Sequence, residues 1–154
     1  MKRLIPGVET LELDHLVLDY NGTLAKGGRP IDGVAGRLRA LAGELAIHVV
    51  TADTFGSVRR ELEGLPVTVQ VIGAENQGKQ KAAFVGSLEG GVCALGNGAN
   101  DGDMLEAARL GVAVLEGEGL YAPLLARADL VCRSVTEALD LLLDEQALAA
   151  TLRR

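Results

Sequence analysis

The chain has 154 residues, the size of one ordinary domain, and at that length folding buries roughly two-thirds of the unfolded surface, so neither a disulfide nor a metal staple is required. Hydrophobic residues make up 48% but aromatics only 3%, so the core must be built from Leu, Val, Ile and Ala. A formal net charge of −6 argues against general binding to nucleic-acid phosphates, no apolar run approaches the roughly 18 residues of a membrane span, and no Cys/His cluster has zinc spacing.

The stretch LIPGVETLEL before Asp14 predicts a short extra hairpin at the sheet edge; its early Pro6-Gly7 leaves no apolar leader segment. HLVLD (15–19) reads as a buried strand ending on Asp19. IDGVAGRLRALAG (31–43) has helical spacing and stops at Gly43, and LAIHVVT (45–51) is the next strand. FGSVRRELEG (55–64) predicts an amphipathic helix, with Asp53 and Thr54 as its cap. VTVQVI (67–72) is a third strand and GKQKAAFVGSL (78–88) a helix. GVCALG (91–96) is a fourth strand, and NDGDMLEAARL (100–110) a helix opened by Asn and Asp. VAVL (112–115), LYAPLLARA (120–128) and DLVC (129–132) predict strand, short helix and strand. Ser134 caps a helix over SVTEALDLLLD, and a last helix ends near Arg153. Strands that are apolar throughout and alternate with helices imply an α/β fold, a doubly wound three-layer sandwich with a mostly parallel central sheet. No linker, repeat or low-complexity stretch divides residues 1–154, which are expected to form one domain. Cys93 and Cys132 lie in apolar runs and read as free thiols in a reducing, cytoplasmic setting. His15 and His48 read as structural residues of their strands.

In open α/β sheets, ligands bind beyond the carboxyl ends of the strands. Those ends carry Asp19-Tyr-Asn21-Gly22-Thr23, then Thr51-Ala52-Asp53, then Lys79 and Lys81, then Gly96-Asn97-Gly98-Ala-Asn100-Asp101. A carboxylate, a hydroxyl, a cation and a Gly-rich Asn/Asp loop would face one crevice. That is the equipment for phosphoryl transfer through an aspartyl phosphate: a nucleophile, positive charge on the non-bridging oxygens, and backbone N–H groups that hold the phosphate.

DYNGTLA resembles the first motif of the haloacid dehalogenase (HAD) superfamily, DxDGT, and the DKTGT of P-type ATPases. Thr51 resembles the second motif, Lys81 in KAAFV the third, and GNGANDGDML the fourth, GDGxND. LGVAVL, ADLVC and SVTEALDLLL resemble the end of P-type ATPase phosphorylation domains, so the likeness spans roughly residues 14 to 143. The resemblance implies a HAD-like Rossmannoid core and a phosphatase that uses Mg²⁺. By position it makes Asp19 the nucleophile and a metal ligand, with the Asn21 carbonyl as a second ligand. Gly22, Thr23, Thr51, Ala52, Lys81 and Asn100 would hold phosphate, Asn97 and Asp101 would fall at metal positions, and Asn100 and Asp101 would order lysine, phosphate and metal waters. Asn21, Thr51 and Lys81 complete the catalytic set with Asp19.

Two family carboxylates are amides here, Asn21 and Asn97. Asn21 cannot transfer a proton, and general acid–base catalysis is worth about 10²–10⁴-fold, so turnover is expected to be slow. Asn97 can ligate Mg²⁺ only without charge. Both are Asn-Gly pairs, which also suit turns. The intervals between the first three motifs, about 27 and 30 residues, leave no room for a cap; only KGGRP (26–30) could form a flap. An open site suggests a phosphorylated small molecule or phosphoprotein as substrate, and a homo-oligomer that covers it, with no nucleic acid and no membrane as partner. A second reading is a degenerate core that binds phosphate or a partner, or is stably phosphorylated. Gly73–Gln80 resembles a P-loop but ends in Gln, which lacks the hydroxyl that Mg²⁺ needs there.

Overall fold

The structure is a computed structural model that describes residues 1–53 and 56–154. Phe55, the first residue of the predicted 55–64 helix, and Thr54, read as part of its cap, lie outside the described residues. In chain order the elements are β1 (Lys2–Arg3), β2 (Leu11–Glu12), β3 (His15–Asp19), β4 (Ala25–Lys26), β5 (Arg29–Pro30), α1 (Val34–Leu41), β6 (Ala46–Thr51) and α2 (Ser57–Glu61). There follow β7 (Thr68–Val71), α3 (Gln77–Ser87), β8 (Val92–Gly96), a 3₁₀ turn at Ala99–Asp101, α4 (Gly102–Ala107) and β9 (Leu110–Val114). A 3₁₀ segment (Ala122–Ala126), β10 (Leu130–Cys132), α5 (Val135–Leu143) and α6 (Glu145–Leu152) complete the chain.

Six strands form one parallel sheet in the order β10-β9-β8-β3-β6-β7. The pleat of β3 sends Leu16 and Leu18 into one buried cluster and Val17 into another. The first cluster gathers Leu38 of α1, Val58 of α2 and Leu139 of α5; the second gathers Val85 of α3 and Met104 of α4. Helices therefore cover both faces, and the three layers expected from the apolar strands are present. The chain runs from β3 to β6 to β7 on one side, then crosses through α3 to β8 on the other side of β3. The order reverses at β3, and the crevice between the ends of β3 and β8 is where such a sheet binds ligands.

The predicted N-terminal hairpin exists, but as a separate antiparallel pair of β1 and β2 rather than an addition to the edge of the main sheet. It is tied below the central strands, where the Leu13 N–H donates to Met1 O at 2.9 Å and the Asp14 N–H to Gly91 O at 2.7 Å. Two other expectations are corrected. The helix predicted over 100–110 begins as a 3₁₀ turn and ends at Ala107, and Leu110 already belongs to β9. Its leucine continued the helical period, but the Arg109 N–H donates to Val92 O at 2.8 Å and draws the chain into the sheet. The predicted helix 120–128 is a 3₁₀ segment of five residues with Pro123 near its start. Ser134 caps α5 as expected, its Oγ accepting the Glu137 N–H at 3.1 Å.

The interval from Asn21 to Thr51 contains the β4–β5 hairpin and α1, and that from Thr51 to Lys81 contains α2, β7 and the start of α3, so no cap domain stands among the described residues. The KGGRP flap is the β4–β5 hairpin, turning at Gly27 and Gly28, both at positive φ. Among the described residues no helix is long and apolar enough to cross a membrane. Cys93 and Cys132 are free thiols, and burial pushes the Cys93 thiol up.

Candidate active site

Position along β3 decides what the first motif presents. Asp19 shares the parity of Val17, so it emerges on the face covered by α3. After it the chain turns sharply: Tyr20 O accepts the N–H groups of Leu24 at 2.9 Å and Ala25 at 2.8 Å. Gly22 permits this turn. Its φ is 82°, and a Cβ there would lie 2.6 Å from Asn97 Nδ2. Tyr20 is buried and donates through its hydroxyl to Gly28 O at 2.9 Å, which pins the β4–β5 flap to the motif.

Lys81 lies on the inner face of α3 and is 1% exposed. Its ammonium touches Asp19 Oδ1 at 2.6 Å and Asp101 Oδ1 at 2.7 Å. Asp101 is wholly buried, and its second oxygen accepts the N–H groups of Asn97 at 2.9 Å and Gly98 at 2.8 Å. Gly96 makes room for this arrangement, since a Cβ would stand 2.5 Å from Asp101 Cβ. Desolvation and the neighbouring Asp101 charge raise the Asp19 carboxyl to about 6, against the opposing pull of Lys81 and Thr23. Burial works against the Lys81 ammonium, but the two carboxylates outweigh it and hold its pKa above the ordinary value.

A cavity of about 500 Å³ opens over these groups. Asp19, Asn21, Thr51, Ala52, Lys81, Asn97 and Asn100 all reach its wall, so most of the residues singled out in the sequence converge here. Thr51 is buried, and its Oγ1 accepts the Asp53 N–H at 3.2 Å. Asn21 is exposed at the wall. Asn100 donates to Gln77 Oε1 at 2.9 Å, which ties the fourth motif to the start of α3. Lys79, the other lysine considered, is exposed and lies off this wall.

Four placements differ from those suggested by position alone. Asp101 stands behind Lys81 and does not line the cavity, and direct contact with a metal there would require its present bonds to break. Asn100 was expected to open a helix but bonds to Gln77 instead. Asn97 uses both ends of its amide: Oδ1 accepts the Thr23 hydroxyl at 3.2 Å, and Nδ2 donates to Gly119 O at 2.9 Å. Thr23 is wholly buried at this contact, off the cavity wall, whereas Gly22 forms the turn beside it. The sequence reading missed Ser57, Gln77 and Glu118, which also line the wall. They come from helix starts and a turn with no motif of their own.

Among the described residues no group of three or more His, Cys, Asp or Glu could cage a metal. Residues on the wall that could offer oxygen to a cation include the carboxylates of Asp19, Asp53 and Glu118 and the amides of Asn21 and Asn97. Such a set suits a hard, hydrated cation such as Mg²⁺, which keeps waters and shares substrate phosphate oxygens.

No family model matches the chain. It is 42% identical over 62 residues, 40% of this chain and 67% of the relative, to an uncharacterized protein of Methanocaldococcus jannaschii. A structure from Legionella pneumophila described as a HAD superfamily, subfamily III A, hydrolase superposes with a TM-score of 0.67 at 21% identity, covering 90% of this chain and 86% of that one. The 3-deoxy-D-manno-octulosonate 8-phosphate phosphatase of Moraxella catarrhalis, in complex with magnesium, phosphate and KDO, superposes with a TM-score of 0.68 at 17% identity, covering 92% and 94%. At these identities the likeness to solved structures is one of fold.

Proposed function

Because the chain belongs to the family of this archaeal protein and has the haloacid-dehalogenase-like fold, without a cap among the described residues, we propose that it is a phosphohydrolase that works through phospho-Asp19. The observation that carries this reading is the buried Asp19–Lys81–Asp101 chain at the topological switch point. A buried triad of charges costs stability unless its geometry repays desolvation. Here one end of it, Asp19, is aimed into a cavity. The solved HAD-fold relatives include a phosphatase with magnesium and phosphate bound, which favours a divalent cation, Mg²⁺, as the partner of Asp19.

In the first step an Asp19 carboxylate oxygen attacks phosphorus in line. The Asp19 O–P bond forms, the ester P–O bond breaks, and the leaving oxygen takes a proton from solvent. In the second step a water attacks the phosphorus, the Asp19 O–P bond breaks and the water gives up its proton to solvent, which releases inorganic phosphate and restores the carboxylate. Lys81 neutralises the non-bridging oxygens, and the Thr51 hydroxyl and the backbone beside Asn21 orient them. Mg²⁺ held by Asp19, the Asn21 carbonyl and Asn97 would supply the remaining positive charge. Asn21 stands where an acid–base group would work and cannot move a proton, so both steps run without it and turnover is slow. Esters with good leaving groups suffer least.

The open cavity suits a phosphorylated small molecule or a phosphoprotein, and a second copy of the chain is the expected cover. A second reading, a stably phosphorylated or phosphate-binding module, is favoured by the Asn21 amide alone. The test is hydrolysis of an activated aryl phosphate by purified protein with Mg²⁺, chelator and the Asp19→Asn variant. The phosphohydrolase reading expects activity that vanishes with chelator and in the variant. Activity that survives Asp19→Asn contradicts it.

A further inference from the structure

The charges around the cavity are one-sided. Its wall carries three carboxylates, Asp19, Asp53 and Glu118, against a single ammonium, Lys81. Lys81 is already shared between Asp19 and Asp101. Thr54 and Phe55, outside the described residues, carry no charge. Asp53 is turned toward α2, where its Oδ2 accepts the Val58 N–H at 2.8 Å and the Ser57 hydroxyl at 3.0 Å.

Glu118 is different. It stands at the tip of the turn Glu116–Gly119, which closes through the Gly119 N–H donating to Glu116 O at 2.8 Å. The two glutamates of this turn are used in opposite ways. Glu116 points back and accepts the Val135 N–H at 2.9 Å, at the start of α5. Glu118 lines the cavity, and among the described residues it has neither a hydrogen bond nor an ion pair. The turn is held in place from the site itself: Asn97 Nδ2 donates to Gly119 O, and the Tyr121 N–H donates to Asn97 O at 2.9 Å. An aspartate at 97 could not make the first of these bonds. The amide that replaces a family carboxylate thus anchors the turn that brings another carboxylate to the rim. Lys26 lies along Gly117, with its ammonium 2.9 Å from where a Cβ on that glycine would be, and does not line the cavity.

We propose that Glu118, held at the rim by Asn97, makes this site selective for phosphoesters whose leaving group is neutral or cationic, such as a polyol or an amino alcohol, and against those that carry a carboxylate or a second phosphate. The inference rests on the phosphohydrolase reading and extends it from the reaction to the substrate class. The phosphoryl group itself would be served by Lys81 and by a divalent cation held at Asp19. The leaving group would extend toward the rim, where, among the described residues that line the cavity, no arginine or lysine stands beside Glu118; Lys26 lies outside the wall, along Gly117. A like charge on the cavity wall, partly in water, is worth about a tenfold difference at low salt, and salt reduces it. The relative crystallised with the carboxylate-bearing sugar acid octulosonate shares the fold; the rim charge sets this chain apart from that substrate.

The experiment compares kcat/KM for glycerol 3-phosphate, 3-phosphoglycerate and phosphoethanolamine, with Mg²⁺, at low and high salt. The first two differ by one carboxylate. Glycerol 3-phosphate and phosphoethanolamine should exceed 3-phosphoglycerate by about tenfold at low salt, with the gap narrowing as salt rises. Glu118→Gln should shrink the gap and Glu118→Lys should invert it. Glu118 is exposed at a turn tip, so both variants keep the fold. Equal use of all three esters, or a gap that neither variant moves, overturns the proposal. If none is hydrolysed, the activated aryl phosphate decides separately whether the phosphohydrolase reading fails. Calorimetric binding of the same esters to the Asp19→Asn protein then decides: tighter glycerol 3-phosphate than 3-phosphoglycerate upholds the selectivity, and equal or absent binding overturns it.

Discussion

The two ends of the central sheet use polar residues in opposite ways. At the amino ends of the strands lies the larger cleft, about 860 Å³, lined by Glu9, Glu12, Gly91 and Arg109 among others. Its charged pair, Arg109 with Glu9, is exposed to water. Nearby, His15 and His48 satisfy each other at 3.1 Å, with His15 Nε2 donating to Glu89 O at 3.0 Å; His48 Nε2 then donates to His15 Nδ1. Burial and His15 lower the His48 pKa. At the carboxyl ends the cavity is smaller, about 500 Å³, but Lys81, Asp19 and Asp101 are all buried in one chain of contacts. Volume alone would choose the wrong end. A cleft of exposed pairs costs little to form, and a buried charge chain costs a great deal, so the smaller cavity is where the fold has invested in chemistry.

That contrast can be sharpened by restoring what the smaller cavity lacks. Asn21→Asp should raise hydrolysis of an unactivated phosphoester by about 10²–10⁴-fold, because it returns a proton carrier to the wall. No gain, measured as kcat at saturating substrate, would favour the binding or stable phosphorylation reading. Next in size is a matched pair of truncations. Lys81→Met leaves two carboxylates facing each other in the interior and should cost about 3–5 kcal/mol by chemical denaturation. Arg109→Met at the other end should cost less than about 1 kcal/mol, as exposed pairs do. Similar losses at both ends would break the comparison.

A smaller effect is the pH dependence of the metal-free protein. Burial raises the folded-state pKa of Asp19 to about 6, above its unfolded value. The stability this group contributes is therefore present at pH values below the usual carboxylate range and is lost as pH rises through about 6. Between pH 4 and 7.5, wild type should lose on the order of 1–2 kcal/mol relative to Asp19→Asn. Divalent cation should reverse the trend, since it favours the ionised carboxylate. A difference that grows in favour of wild type with pH in metal-free buffer would contradict this account of Asp19.

Much of this was readable in the sequence, and the reasons are local. The strand HLVLD announces itself by being apolar throughout, and its last residue had to fall at a strand end. Asp19, Thr51 and Lys81 could be expected to reach one cavity because motifs at strand ends converge in a parallel sheet. What sequence could not supply was how the side chains pair. Asp101 reads by position both as a metal position and as a group that orders the lysine, and only the fold shows that its second oxygen is taken by the Asn97 and Gly98 N–H groups. Asn97 reads as a lost carboxylate, and only the fold brings Gly119 close enough to make it a tether. Glu118 lies in an irregular turn 21 residues beyond Asn97 with no periodicity to mark it. Leu110 shows the same limit in the fold, since a helical period extended across a boundary that a single backbone hydrogen bond to Val92 sets.

The central claim is that Asp19 carries the phosphoryl group. With Asn21 unable to activate water, the second step is the slower one once a good leaving group has departed, so the phosphoenzyme should accumulate. Intact-protein mass spectrometry after acid quench of the protein with an aryl phosphate and Mg²⁺ should show one phosphoryl adduct, mapped by peptide analysis to Asp19 and absent in Asp19→Asn. An adduct on another residue, or the same adduct in the variant, would contradict the account.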